Sequence, residues 1–226
     1  MGYLESSVVV YLRAIMYPGG FAFPLAPFDS NLATTEIIRE AATIIMLLGA
    51  GIIAGKTFPE RFAWFIYCFA IWDIFYYVFL KALLNWPESL MTWDILFLIP
   101  ATWVGPVITP VIVSLTMIIL AMAIIFYSSK KNIHIAAIEW GLFIIGAHIL
   151  ILAFIWDYSS FILGRYSFGE IWRMPNTRPL YELGLQYIPH SFNWLLFWIG
   201  EITILAGIFM LFIRIRKNRE VKRLRS

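Results

Sequence analysis

Charge is what this sequence has least of. Only 14% of its 226 residues are Asp, Glu, Lys or Arg, against roughly 25% in a soluble domain. So few charged groups do not cover a water-facing surface, and 61% of the residues are hydrophobic. Cysteine is the second scarcity. Cys68 is the single one, so the chain alone builds neither a disulfide nor a thiolate metal site. Inside an apolar run it reads as a small filler. Catalytic signatures are the third: no nucleophile elbow, P-loop, dinucleotide fingerprint or paired-histidine zinc motif is present. Linkers, low-complexity stretches and fixed-period repeats are also missing, which leaves one integral membrane domain over 1–226.

What is present is a set of long apolar runs. In hydrocarbon every backbone N–H and C=O needs a partner within the chain, so apolar runs of about 20 residues become helices. The expected fold is an all-α polytopic membrane helical bundle of five transmembrane helices, at about 36–55, 61–84, 105–127, 135–157 and 193–214, with interfacial or re-entrant segments on the outer face. Lys56 and Arg61, Lys130 and Lys131, and the tail from Arg214 to Arg225 then fall on one side. The positive-inside rule makes that side cytoplasmic and puts the N-terminus outside, in the plasma (inner) membrane. The tail, with residues 215–226 as its cytoplasmic part, has no interleaved aromatics to stack bases. Nucleic acid is therefore not an expected partner.

The segments on the other side are long and aromatic. Residues 1–35 carry an apolar stretch from Val8 to Tyr17 that Arg13 interrupts, too short to span, followed by prolines; they read as an outer interfacial segment. Residues 88–99 lie between Pro87 and Pro100 and read as a short interfacial helix opened by Glu88 and Ser89. In 158–192, Phe161, Ile162, Leu163, Tyr166, Phe168, Ile171 and Trp172 are spaced as an amphipathic helix, with Arg165, Arg173 and Arg178 as polar heads. These segments are either an aromatic belt at headgroup level or a cap over a cavity. The pair Trp-Asp occurs at Trp72-Asp73, Trp93-Asp94 and Trp156-Asp157, at unequal spacings that point to local chemistry rather than duplication.

Ionisable side chains inside spans are costly, so each is a candidate site residue. Asp73 lies eight residues before Lys81, His148 nine before Asp157, and Glu201 eight after Asn193. At 1.5 Å per residue all three sit about 12–14 Å below the outer boundary. Such a set either fixes helix packing, binds a polar ligand or proton, or holds a metal through His148, Asp73 and Glu201. Glu40 and Asn193 would line its mouth. Glu36, Arg39 and Glu40 share a face of the first span. Glu139 has Lys130 or Lys131 as its expected partner. His134 and His148, with thirteen residues between them on one helix, have a spacing used by b-type haem proteins, which need it on two helices; a dimer would supply the second.

Three function classes stay open: an accessory or binding subunit of a membrane complex, an intramembrane enzyme on a lipophilic substrate, and a haem, proton-relay or transport protein. The first leads, because catalytic motifs are lacking. Its partners would be the bilayer and other membrane subunits or further copies of the chain. No cofactor is identified. The topology has a direct test. Single cysteines at Ser129 and Ser226 are expected to react with a membrane-impermeant thiol reagent only after permeabilisation, and those at Ser7 and Thr177 in sealed cells. Labelling of position 129 from outside would overturn the orientation.

Overall fold

The computed structural model describes residues 1–27, 30–99, 101–128, 134–175 and 178–223. The chain is an all-α polytopic membrane protein, with one small hairpin among the described residues. In order the elements are α1 (Gly2–Met16), α2 (Ser30–Ala54), α3 (Phe58–Leu84), β1 (Trp93–Phe97), β2 (Trp103–Pro106), α4 (Ile108–Ser128), α5 (Ala137–Leu163), α6 (Phe168–Arg173), α7 (Arg178–Gly184) and α8 (Trp194–Arg223). Among the described residues five helices, α2, α3, α4, α5 and α8, are long and apolar enough to cross a membrane. These are the five expected spans.

Their ends follow local chemistry. Thr57 and Glu60 make reciprocal hydrogen bonds at the start of α3: the Glu60 N–H donates to Thr57 Oγ1 at 3.4 Å, and the Thr57 N–H to Glu60 Oε2 at 3.3 Å. Pro59 sits in that first turn, where its missing N–H is not needed. At the start of α5 the Ala136 N–H donates to Glu139 Oε2 at 2.8 Å. The helix therefore begins after His134, which corrects the expectation that His134 and His148 lie on one helix.

Residues 88–99 depart from expectation. They form a turn and strand β1, paired antiparallel with β2 in the register Trp93–Pro106, Ile95–Val104 and Phe97–Trp103. The cause is hydroxyl competition for the backbone. The Ser89 N–H donates to Thr92 Oγ1 at 3.1 Å and the Met91 N–H to Ser89 Oγ at 3.2 Å. These bonds close a turn where a helix was expected, and the aromatic and β-branched residues after it suit a strand. The amphipathic run 161–172 is also split: α5 continues to Leu163, a turn follows, and α6 is a separate short helix.

The chain divides into two compact units, each described by itself. Residues 1–42, 75–110 and 153–193 form one; residues 43–74, 111–152 and 194–226 form the other. In the first, aromatic rings pack around the hairpin. Trp103 stacks on Phe154 with centroids 5.5 Å apart, and Phe154 meets Phe192 at 5.7 Å. Helix α1 belongs here and is inverted relative to a soluble helix. Glu5, Ser6 and Arg13 are buried, while Leu4 and Ile15 are 69% and 79% exposed.

The second unit has a hydrophobic core that includes Ala63 and Ile66 on α3, Leu120, Ala121 and Ile124 on α4, Phe143 on α5, and Ile208 and Leu211 on α8. Helices α5 and α8 touch through glycines, as small residues allow in membranes. A Cβ on Gly200 would meet Leu150 Cγ at 2.8 Å and the Gly146 carbonyl oxygen at 3.0 Å. Gly141 on α5 has open space instead. Gly200→Ala is expected to destabilise by about 1–3 kcal/mol, the cost of overpacking, and Gly141→Ala to leave stability unchanged or raise it. Equilibrium unfolding in detergent compares the two; equal effects would refute the close α5–α8 contact.

Candidate functional site

The second unit holds Asp73, His148 and Glu201. Asp73 on α3 accepts a hydrogen bond from Ser114 Oγ at 2.8 Å. Glu201 on α8 accepts one from Thr116 Oγ1 at 2.8 Å. Both hydroxyls belong to α4, two residues apart, so they are separated by about 3 Å along its axis and about 200° around it. Asp73 and Glu201 thus meet one helix at matching heights from opposite sides, with α4 between them. His148 is on the exposed side of α5. Its Nδ1 lies 2.7 Å from the Ile144 carbonyl oxygen. A carbonyl only accepts, so Nδ1 carries the hydrogen of that bond.

The three groups therefore do not converge. Among the described residues no three His, Cys, Asp or Glu side chains are grouped to hold a metal ion. The physical reason is azimuth: equal depth leaves rotation about each helix axis free. Glu201 is 1% exposed, and its second carboxyl oxygen, Oε1, is buried without a hydrogen-bond partner.

At the other end of α5 and α8 lies a fork. Arg214 Nε and Nη2 donate to the two oxygens of Glu139, each at 2.8 Å, and Nη2 also reaches the His134 carbonyl at 2.7 Å. Arg214 is thus the partner of Glu139. Lys130 and Lys131, the expected partners, lie outside the described residues. The first half of α3 is tied to the end of α4 by the Ser128 hydroxyl, which donates to Glu60 Oε1.

The first unit contains a denser set of buried charge. On α2, Arg39 Nε and Nη2 donate to Glu36 Oε2 at 3.0 and 2.8 Å. The same guanidinium pairs with Glu5 of α1. Glu40, beside it, accepts the Leu98 N–H at 2.9 Å, satisfying a backbone donor just past β1. Glu40 and Asn193, read as a mouth for the Asp73 site, both belong to this unit.

Arg13 of α1 has a second anchorage. Its guanidinium carbon lies 3.7 Å from the Trp86 ring centroid and 4.5 Å from that of Phe21. Its Nη2 is 3.6 Å from Asp94 Oδ1, and the Tyr77 hydroxyl donates to Asp94 Oδ2 at 3.2 Å. Lys81, nearby in sequence, donates to the Pro87 carbonyl at 2.9 Å.

Each Trp-Asp pair supplies an acceptor at a junction. Asp73 takes Ser114, Asp94 takes Arg13 and Tyr77, and Asp157 takes the Tyr187 hydroxyl at 2.6 Å and the His190 N–H at 3.1 Å. Burial and the Asp157 carboxylate push the Tyr187 phenol well above its ordinary range, so it stays a neutral donor. Arg13, Glu5, Asp94 and Arg214 were not among the site residues expected from sequence. A signal for Arg13 was on the page: a charge interrupting an apolar run has the same cost wherever it occurs.

Comparison with protein-family models, with curated proteins and with solved structures finds no match. The geometry therefore carries the functional argument. It also generates a stability prediction. Arg39→Leu leaves Glu5 and Glu36 buried without their cation and is expected to cost about 3–5 kcal/mol. Arg178→Leu removes a pair whose side chains are 82% and 58% exposed and should cost at most about 1 kcal/mol. Denaturant titration of both variants in the same detergent checks this; similar losses would contradict the pairing.

Proposed function

We propose that this chain is an accessory or binding subunit of a multi-pass membrane complex, residing in the plasma (inner) membrane with its N-terminus outside and its C-terminus cytoplasmic. One observation carries the reading. The buried ionic groups of the first unit are engaged with one another or with backbone: Glu5 and Glu36 with Arg39, Arg13 with Asp94, Glu40 with the Leu98 N–H. Groups held this way fix α1, α2 and the hairpin as a rigid surface. Acid–base catalysis instead asks for groups within reach of a substrate proton. The test is native mass. Extracted from its own membrane into polymer nanodiscs at native expression level, the chain is expected to travel with a stoichiometric second protein, identified in reciprocal pull-downs. A species containing only this chain would overturn the reading.

A second reading has its own observation. Glu201 is buried with Oε1 unpartnered, as an intramembrane ligand, proton or catalytic site would require. On that reading Glu201→Gln abolishes function while assembly and folding persist. On the accessory reading the same substitution leaves function intact, because Gln keeps an oxygen for Thr116.

A further inference from the structure

Helix α6 is short, exposed and placed at a boundary. Helix α5 is 27 residues long, about 40 Å at 1.5 Å per residue, which matches a bilayer with its headgroups at about 40–45 Å. Four residues separate its end at Leu163 from Phe168, the first residue of α6. The turn and α6 therefore come at headgroup level.

Helix α6 exposes two large aromatic side chains alongside its charged ones. Phe168 and Trp172, one helical turn apart, are 73% and 82% exposed. Large aromatics left uncovered beside a membrane span are placed to enter the boundary between headgroups and acyl chains. Next to them lies a shallow, open groove of about 470 Å³ lined by Tyr166, Ser167, Glu170, Arg173 and Met174 among others.

The groove carries one charge of each sign. Glu170 closes a capping box on Ser167, whose N–H and hydroxyl both donate to Oε2 at 2.7 Å. These bonds hold its carboxyl below the usual carboxylate range, so it is ionised at neutral pH. They occupy one oxygen and leave Oε1 available. Arg173 closes the other end of the helix and makes no ion pair among the described residues.

We propose that this open groove is a headgroup site for an aminophospholipid of the phosphoethanolamine class. Arg173 takes the phosphate, Glu170 takes the ammonium, and Phe168 and Trp172 lie against the acyl boundary beside it. Charge complementarity selects the lipid. A phosphoglycerol headgroup brings no cation for Glu170, and a phosphocholine brings a cation with no N–H to donate. The guanidinium fork suits a phosphate oxyanion, and both contacts are charge-assisted hydrogen bonds.

Native mass spectrometry of the full chain, titrated in mild detergent with phosphatidylethanolamine, phosphatidylcholine and phosphatidylglycerol of identical acyl chains, tests this. Wild type is expected to prefer the ethanolamine lipid by about tenfold, the discrimination of one charge-assisted hydrogen bond. Glu170→Gln keeps the cap, because Gln also serves in a capping box, and should erase the preference over phosphatidylglycerol. Arg173→Gln should weaken both of those lipids. Glycerophosphoethanolamine, the soluble headgroup, should fail to displace the lipid at equal concentration. Equal wild-type affinities, a preference unchanged in Glu170→Gln, or displacement by the soluble headgroup would each overturn the assignment.

Discussion

A charge withdrawn from water has to be met by something else, and in hydrocarbon nothing else is offered except the chain itself. That constraint organises this molecule. In the first unit it is met by opposite charges, with Arg39 between Glu5 and Glu36 and Arg13 against Asp94. In the second it is met by hydroxyls, Ser114 for Asp73 and Thr116 for Glu201, and by one guanidinium fork, Arg214 on Glu139. Apart from Arg39–Glu36, which is local to α2, each of these contacts joins elements distant in sequence. The scarce charges therefore specify which helices become neighbours, a task that apolar surface does poorly in lipid because lipid tails compete on equal terms.

The spans were legible because one physical rule fixes them. Backbone groups without water force helices, and the only freedom left is where each begins and ends. Glu139 illustrates that freedom. Its carboxylate reaches back to the Ala136 N–H and starts α5 after His134, a choice that hydropathy averaged over a window does not register. The hairpin was illegible for a related reason. Ser89 and Thr92 turn the chain with their hydroxyls, and a run bounded by prolines carries no sign of whether its polar groups will turn inward or outward.

The candidate site was half legible. Residue counting gives depth, and Asp73 and Glu201 do meet α4 at heights two residues apart. Counting does not give rotation about the helix axis. That rotation is set by which partner helix offers a hydroxyl, and it puts α4 between the two carboxyl groups. His148 bonds back to its own helix at Ile144, a contact that needs no neighbour and so escapes any argument from shared depth. Arg13 and Asp94 lie eighty-one positions apart in the chain, and no local pattern links them.

The inverted helix α1 has a consequence for how the protein is made. Its apolar residues face outward and its charges inward, toward partners that do not yet exist when it leaves the ribosome. Arg39 follows Glu5 by thirty-four residues and Asp94 follows Arg13 by eighty-one. At 5–20 residues per second, Arg13 waits roughly 4–16 s for its counter-ion. During that interval the helix has only its greasy side to recommend it and two unsatisfied charges to hide. It is therefore translated before the elements it docks on and seated only after them, and its docking marks the moment at which the hairpin has folded.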